Sequence, residues 1–278
     1  MLETFMQQTM NLLKYSDIRL HTVENRAVRL EEKGRFTLFL EGDEVVTRSR
    51  IEDNITVQIM LFFTLLDAKI DTMYPRLEGC SLKHKYHSLP NDSDDNVIFS
   101  QVYRLLRILR NNAIHTMSST TIEDNIIKSS GKYDRVHITK MGYELLASIV
   151  YYIMAPNKNE NRNYRSAILR SYYDDLQTEI LFQEDDINVN QLLPLSNAVR
   201  LKRSVRYKVT NTEFIVDQDS LTITRPYELT YKNEHNWAGV DYEIQYEGST
   251  YVVPSEVLNL NGKLTISREN LESWALDH

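Results

Sequence analysis

The hydrophobic period changes once along this chain, and that change limits the folds open to it. From Ile51 to Gln183 apolar residues recur mostly every three or four positions, as on one face of a helix. From Val199 onward they alternate, or cluster in β-branched and aromatic runs separated by turn residues. A chain with such a break is expected to be α+β: an all-helical bundle followed by a small mainly β C-terminal domain. The expected segments are 1–50, helical or mixed; 51–198, helical; and 199–278, mainly β.

Met1–Leu20 carries Leu2, Phe5, Met6, Met10 and Leu13 at helical spacing. Arg35–Leu40 reads either as a short strand or as part of a broken helix. Ile51–Tyr74 is the strongest helix, with Pro75 marking its end. Arg76–Asn96 is expected to be a loop. Its Cys80, His84 and His87 include three zinc-ligand types, but no fourth stands at a familiar spacing, so no metal site is expected. Asn91–Asp95 is expected to cap the next helix. A short helix is predicted over Ile122–Lys128, a longer one from Thr139 to just before Pro156, and another over Tyr164–Gln183. NKNENRN, between the last two, reads as a loop, as does Gln183–Asn190. Beyond Val199, strands are predicted at Val205–Thr210, Glu213–Val216, Ser220–Arg225, Tyr227–Lys232, Val240–Tyr246 and Thr250–Val253. Hairpin turns are expected at Asp217–Asp219, Glu247-Gly248 and Asn261-Gly262, and a terminal helical turn within Glu269–Leu276.

Function classes narrow by exclusion. A net charge of −7 over 278 residues does not suit a protein that coats duplex DNA, although a local basic patch could still meet RNA. No apolar run reaches the roughly 18 residues of a spanning helix, and the start lacks a basic region followed by an apolar core. One cysteine rules out an intrachain disulfide, which points to a reducing cytoplasm. No Gly-rich phosphate loop or nucleophile elbow occurs, and no cofactor is expected.

Chemistry concentrates in VYRLLRILRNNAIHTM. Arg104, Arg107 and Arg110 stand three apart, each about 60° further round a helix, forming a slanting basic stripe beside an apolar face. Asn111-Asn112 is expected to end that helix, with His115 one bend beyond. Arg110-Asn111-Asn112-Ala113-Ile114-His115 resembles the signature of the HEPN family, all-helical domains that in many members are metal-independent ribonucleases. Their motif is Arg, four to six residues, then His, commonly with a polar residue after the Arg. The resemblance covers at most Ile51–Gln183. It implies a homodimer through the helical domain, with two motif copies at one cleft. It also implies that His115 is the general acid/base, that Arg110 holds the scissile phosphate, and that Asn111 orients phosphate or histidine. The products would be a 2′,3′-cyclic phosphate (or a 3′-phosphate) and a 5′-hydroxyl. RNA, transfer RNA included, would be the partner, often in toxin or antiviral defence. Met117 departs from the family's toxins, which often carry Tyr there, so their regulation is not carried over.

Arg104 and Arg107 are further candidates for neighbouring phosphates. Arg203 and Arg206 belong to the densest basic cluster, with Arg200, Lys202 and Lys208, and Tyr207 is interleaved as a stacking ring. A charged edge strand that discourages aggregation explains that cluster equally well. Against the nuclease stand a non-catalytic dimerisation or interaction protein, whose β domain binds another protein or a ligand, and a nucleotide-binding helical domain.

Overall fold

A computed structural model of the chain describes residues 6, 9–11, 13–14, 24–31, 36–41, 51, 55–115, 120–132, 134–155, 161–185, 191–231, 234–258 and 263–276. The elements begin with β1 (Glu24–Leu30), β2 (Phe36–Glu41), α1 (Ile55–Met73), α2 (Leu82–Ser88) and α3 (Asp94–His115). Next come β3 (Thr120–Glu123), β4 (Ile126–Ser130), β5 (Arg135–Thr139), α4 (Lys140–Met154), α5 (Arg162–Glu179) and β6 (Ile180–Glu184). The remainder is β7 (Val205–Val209), β8 (Phe214–Asp217), β9 (Ser220–Ile223), α6 (Glu234–Trp237), β10 (Ala238–Tyr246), β11 (Ser249–Pro254), β12 (Thr265–Ser267) and α7 (Arg268–Glu272).

This order corrects the expected fold class. Helices and strands interleave in a mixed α/β chain with three sheets; an all-helical bundle followed by a β domain is not what forms. The chain makes two compact units, neither of them continuous in sequence. One takes Met1–His21, Val45–Ala155 and Tyr172–Ser196; the other takes Thr22–Glu44, Pro156–Ser171 and Asn197–His278. The units therefore do not follow the segments 1–50, 51–198 and 199–278.

In the first unit α1 and α3 pack together, and α3 also meets β4 and β5. Its four-stranded antiparallel sheet has the order β3-β4-β5-β6. Residues 122–128 form the hairpin at its start rather than a helix. Asp124 and Asn125 hold φ of 49° and 63°, the paired left-handed geometry of a tight two-residue hairpin turn, and Asp and Asn tolerate it best after Gly. The helix expected to run to Gln183 stops at Glu179, and Ile180–Glu184 pairs with β5 instead. α4 starts beside Thr139 as expected, and Thr139 caps it, its hydroxyl accepting from the Gly142 N–H at 2.9 Å. Ser93 likewise accepts from the Asn96 N–H at 3.3 Å ahead of α3. The region expected as a loop around His84 is partly helical, since Ser81 caps α2 through the His84 N–H.

In the second unit a five-stranded sheet has the order β11-β10-β7-β1-β2, with β7 parallel to both β1 and β10. β2 realises the strand alternative for the described residues of Arg35–Leu40, from Phe36 on. A three-stranded sheet, β12-β9-β8, lies in the same unit. The Glu247-Gly248 turn forms as expected, at φ 49° and 83°. Of the strand expected over Tyr227–Lys232, the described residues 227–231 form none. Pro226 offers no donor to a ladder, and the Tyr227 N–H donates to the Tyr242 hydroxyl at 3.2 Å. Most of the expected opening helix, NKNENRN up to 160, residues 186–190 and the Asn261-Gly262 turn lie outside the described residues. Among the described residues no helix is long and apolar enough to cross a membrane.

Candidate functional site

α3 is unbroken through the motif, so Asn111-Asn112 does not end it. Two asparagines have poor helix propensity, yet tertiary bonds hold the second one in place. Asn112 Nδ2 donates to Ser129 Oγ and to the Asp134 carbonyl, both at 3.1 Å, tying the helix to β4 and the turn after it. The approach is so close that a Cβ at Gly131 would lie 2.1 Å from Asn112 Oδ1.

The stripe of three arginines rotates out of the core as it climbs. Arg104, 1% exposed, donates to both oxygens of Asp185, at 2.6 and 2.8 Å, and to Gln101 and the Gln191 carbonyl. Burial opposes its charge, but Asp185 outweighs burial and holds its pKa above the usual arginine value. Arg107, 4% exposed, reaches the same carboxylate at 3.7 Å. These two candidates for neighbouring phosphates therefore face a buried acid rather than a surface. Arg110, about 120° round from Arg104, is half-buried at the rim. Among the described residues its partners are neutral: Nη1 donates to Asn111 Oδ1 at 3.3 Å, and the guanidinium carbon sits 5.5 Å from the Phe63 ring centre. Among the described residues no carboxylate lies within 4 Å of it.

Beside Arg110 opens a hollow of about 200 Å³, lined by Met60, Phe63, Thr64, Asp67 and Arg110. Asp67 Oδ1 accepts from the Tyr103 hydroxyl at 2.8 Å and from Lys85 Nζ at 3.0 Å. Lys85 is itself buried, with Asp71 at 2.6 Å. Burial draws the ammonium pKa down, but Asp71 and Asp67 more than reverse this and raise it. Burial and the nearby Asp67 charge push the Tyr103 phenol far up. Both groups therefore remain donors to Asp67. Sequence reasoning missed this wall. The signal was there, since Asp67, Lys69 and Asp71 are the charged residues of α1, all in its last two turns.

Position 115 closes α3, and its side chain, like the whole of Met117, lies outside the described residues. Five helical residues separate it from 110, a rise of about 7.5 Å and a turn of about 140°.

The basic cluster of the second unit is largely paired. Arg206 is fully buried between Asp241 and Glu256. Lys208 meets Glu243 at 2.8 Å. Lys202 Nζ donates to the His235 and Asn236 carbonyls. Tyr207 is buried, 5.5 Å from Tyr227 ring to ring. Arg203 is half-buried. The cluster does not present the cations and stacking ring that an RNA groove needs. His84 and His87 are exposed on α2, and among the described residues no three metal-ligating side chains converge. No protein-family model, curated protein or solved structure matches the chain.

Proposed function

We propose that the protein is a metal-independent RNA endonuclease in which Arg110 holds the scissile phosphate. The observation that carries this reading is the division of labour among the three α3 arginines. Two turn to one buried carboxylate, while Arg110 rests on an aromatic face at the edge of a hollow and, among the described residues, has only neutral partners. Such a guanidinium can take phosphate oxygens in its fork without first breaking an ion pair. The order Arg110-Asn111-…-His115, shared with HEPN ribonucleases, supplies the titratable partner. Histidine changes charge near neutrality and suits proton transfer to the leaving oxygen.

The 140° between positions 110 and 115 on one straight helix favours a composite site. Arg110 of one copy would meet a phosphate that His115 of a second copy protonates. Asn111, bonded to Arg110, would set the angle of the guanidinium. RNA is the substrate class, because the 2′-hydroxyl provides the nucleophile and a free 5′-hydroxyl leaves. The lone cysteine suits the reducing cytoplasm, where cellular RNA, transfer RNA included, would be the target in a defence or toxin setting.

The test is cleavage of total RNA and transfer RNA by purified protein in EDTA, beside Arg110→Ala and His115→Ala. Wild type should give 2′,3′-cyclic phosphate and 5′-hydroxyl ends, and each variant, still folded, should be inactive. Mixing the two variants should restore about one quarter of the wild-type rate. Random exchange makes about half the dimers mixed, and each mixed dimer keeps one of its two sites. No cleavage by the wild type, or equal cleavage by all three, rejects the proposal. Loss in both variants without rescue on mixing rejects the composite site.

A further inference from the structure

Asp67 is the polar group of the hollow that the chemistry above leaves unused. It stands one turn beyond Phe63 on α1, and its two oxygens are used differently. Oδ1 accepts from both Tyr103 and Lys85, which fixes the carboxylate. Oδ2 receives no hydrogen bond among the described residues, and the side chain is 24% exposed. Across the hollow stands Arg110. The cation and the carboxylate line one small space without forming an ion pair within 4 Å. Asp71 from α1, of like charge, and the cations Lys85 from α2 and Arg107 and Arg110 from α3 complete the electrostatic surroundings of the hollow's acid wall.

An anion holder and a fixed acceptor side by side fit a ligand that carries an anion next to a hydroxyl donor. The size of the hollow narrows the choice. At about 200 Å³ it is smaller than the roughly 300–1,000 Å³ of pockets for whole small molecules, and equals about seven waters. That is room for a pentose with its phosphate, with the base left outside. In RNA the 2′-hydroxyl and the 3′-phosphate sit on adjacent ring carbons, which is the required pairing. The Phe63 ring forms an apolar floor for the sugar.

We propose that this hollow is a ribose 3′-phosphate subsite in which Asp67 Oδ2 takes the proton of the attacking 2′-hydroxyl while Arg110 holds the phosphate. The inference rests on the nuclease reading and assigns its general base. As the 2′-proton passes to Asp67, the 2′-oxygen forms its bond to phosphorus. The bond from phosphorus to the 5′-oxygen breaks, and its electron pair leaves on that oxygen, which takes a proton from His115 of the second copy. Asp67 then gives its proton to water and the histidine takes one back from water, which restores both groups. Histidine needs to act only as the acid, so each composite site needs one histidine rather than two.

The experiment compares wild type, Asp67→Asn and Arg110→Ala. Asparagine keeps a carbonyl acceptor for Tyr103 and Lys85 but cannot take up a proton. Binding of adenosine 3′-monophosphate and of its 2′-deoxy counterpart is measured by calorimetry, and cleavage is measured on RNA. Wild type should favour the ribose form by about tenfold, one good hydrogen bond to a charged acceptor. Asp67→Asn should lose that preference, and Arg110→Ala should weaken both ligands. Cleavage by Asp67→Asn should fall at least about 100-fold, while binding of a 2′-deoxy oligonucleotide is not weakened. Equal binding of both nucleotides by the wild type, or wild-type cleavage by Asp67→Asn, overturns the inference. If Arg110→Ala alone is inactive, the nuclease reading stands and the subsite falls. A ribose preference lost in Asp67→Asn, in a protein that cuts no RNA, sustains the subsite and overturns its catalytic role.

Discussion

Replacing Asp185 with Ala should unfold the first unit well before it affects any chemistry. Asp185 is fully buried and binds Arg104 through both oxygens at 2.6 and 2.8 Å, with Arg107 at 3.7 Å on the same carboxylate. Its removal takes from two buried guanidiniums, with side chains 1% and 5% exposed, the carboxylate that Arg104 grips through two bonds. Breaking a buried pair in this way costs about 3–5 kcal/mol, a large share of the roughly 5–15 kcal/mol that holds an ordinary domain. For a unit of this size that is a fall in Tm of about 6–20 °C. Far-UV dichroism during heating, with urea titration beside it, measures the loss. Arg110→Ala is the control: its ring contact is worth only about 0.5–1 kcal/mol, so its curve should stay close to wild type. If Asp185→Ala melted within about 1 kcal/mol of wild type yet lost affinity for RNA, Arg104 and Arg107 would be ligand-facing cations, and the division among the three arginines would be wrong.

Two other consequences concern the rest of the fold. Burial tends to raise the Glu256 carboxyl pKa, but the Arg206 guanidinium and the Lys202 N–H outweigh burial and hold it below the ordinary range. Its stabilisation is therefore present above the unfolded glutamate value of about 4.3 and lost as pH falls through the depressed folded value. Glu256→Gln should flatten the acid limb of stability against pH, and an unchanged limb in urea melts between pH 3 and 6 would contradict the pairing. At the β3–β4 turn, Asn125→Gly should be neutral or better, whereas Asn125→Val should cost about 1–2 kcal/mol, read from denaturation midpoints. Equal stabilities would mean that position 125 is not held at positive φ.

The parts of the chain legible from sequence were those set by near neighbours. The α1 face, the Thr139 and Ser93 caps and the Glu247-Gly248 turn depend on residues within about one turn of each other. The 122–128 hairpin was equally local but was misread. Asp124-Asn125 between β-branched residues is a turn signal, and a preceding Ser/Thr run disguised it as a helix cap. β6 was hidden because Ile180 continues the helical spacing of Ile168, Tyr172 and Leu176; only pairing with β5, more than forty residues away, decides for strand. The same distance hides the assembly of the second unit, where β1 pairs with β7 across some 180 residues.

The arginine stripe shows why the site was only partly readable. Spacing alone makes Arg104, Arg107 and Arg110 equivalent members of one row. What separates them is a single carboxylate more than seventy residues downstream, placed where the row is deepest. A helix surface turns about 60° between such positions, so one buried acid reaches the first two arginines and misses the third. Pairing with that acid helps the row enter a core, since burying a charge without a partner is costly. The half-buried rim then leaves Arg110 to the Phe63 ring and the Asp67 hollow. The same carboxylate thus stabilises the fold and singles out the arginine that remains available to a phosphate.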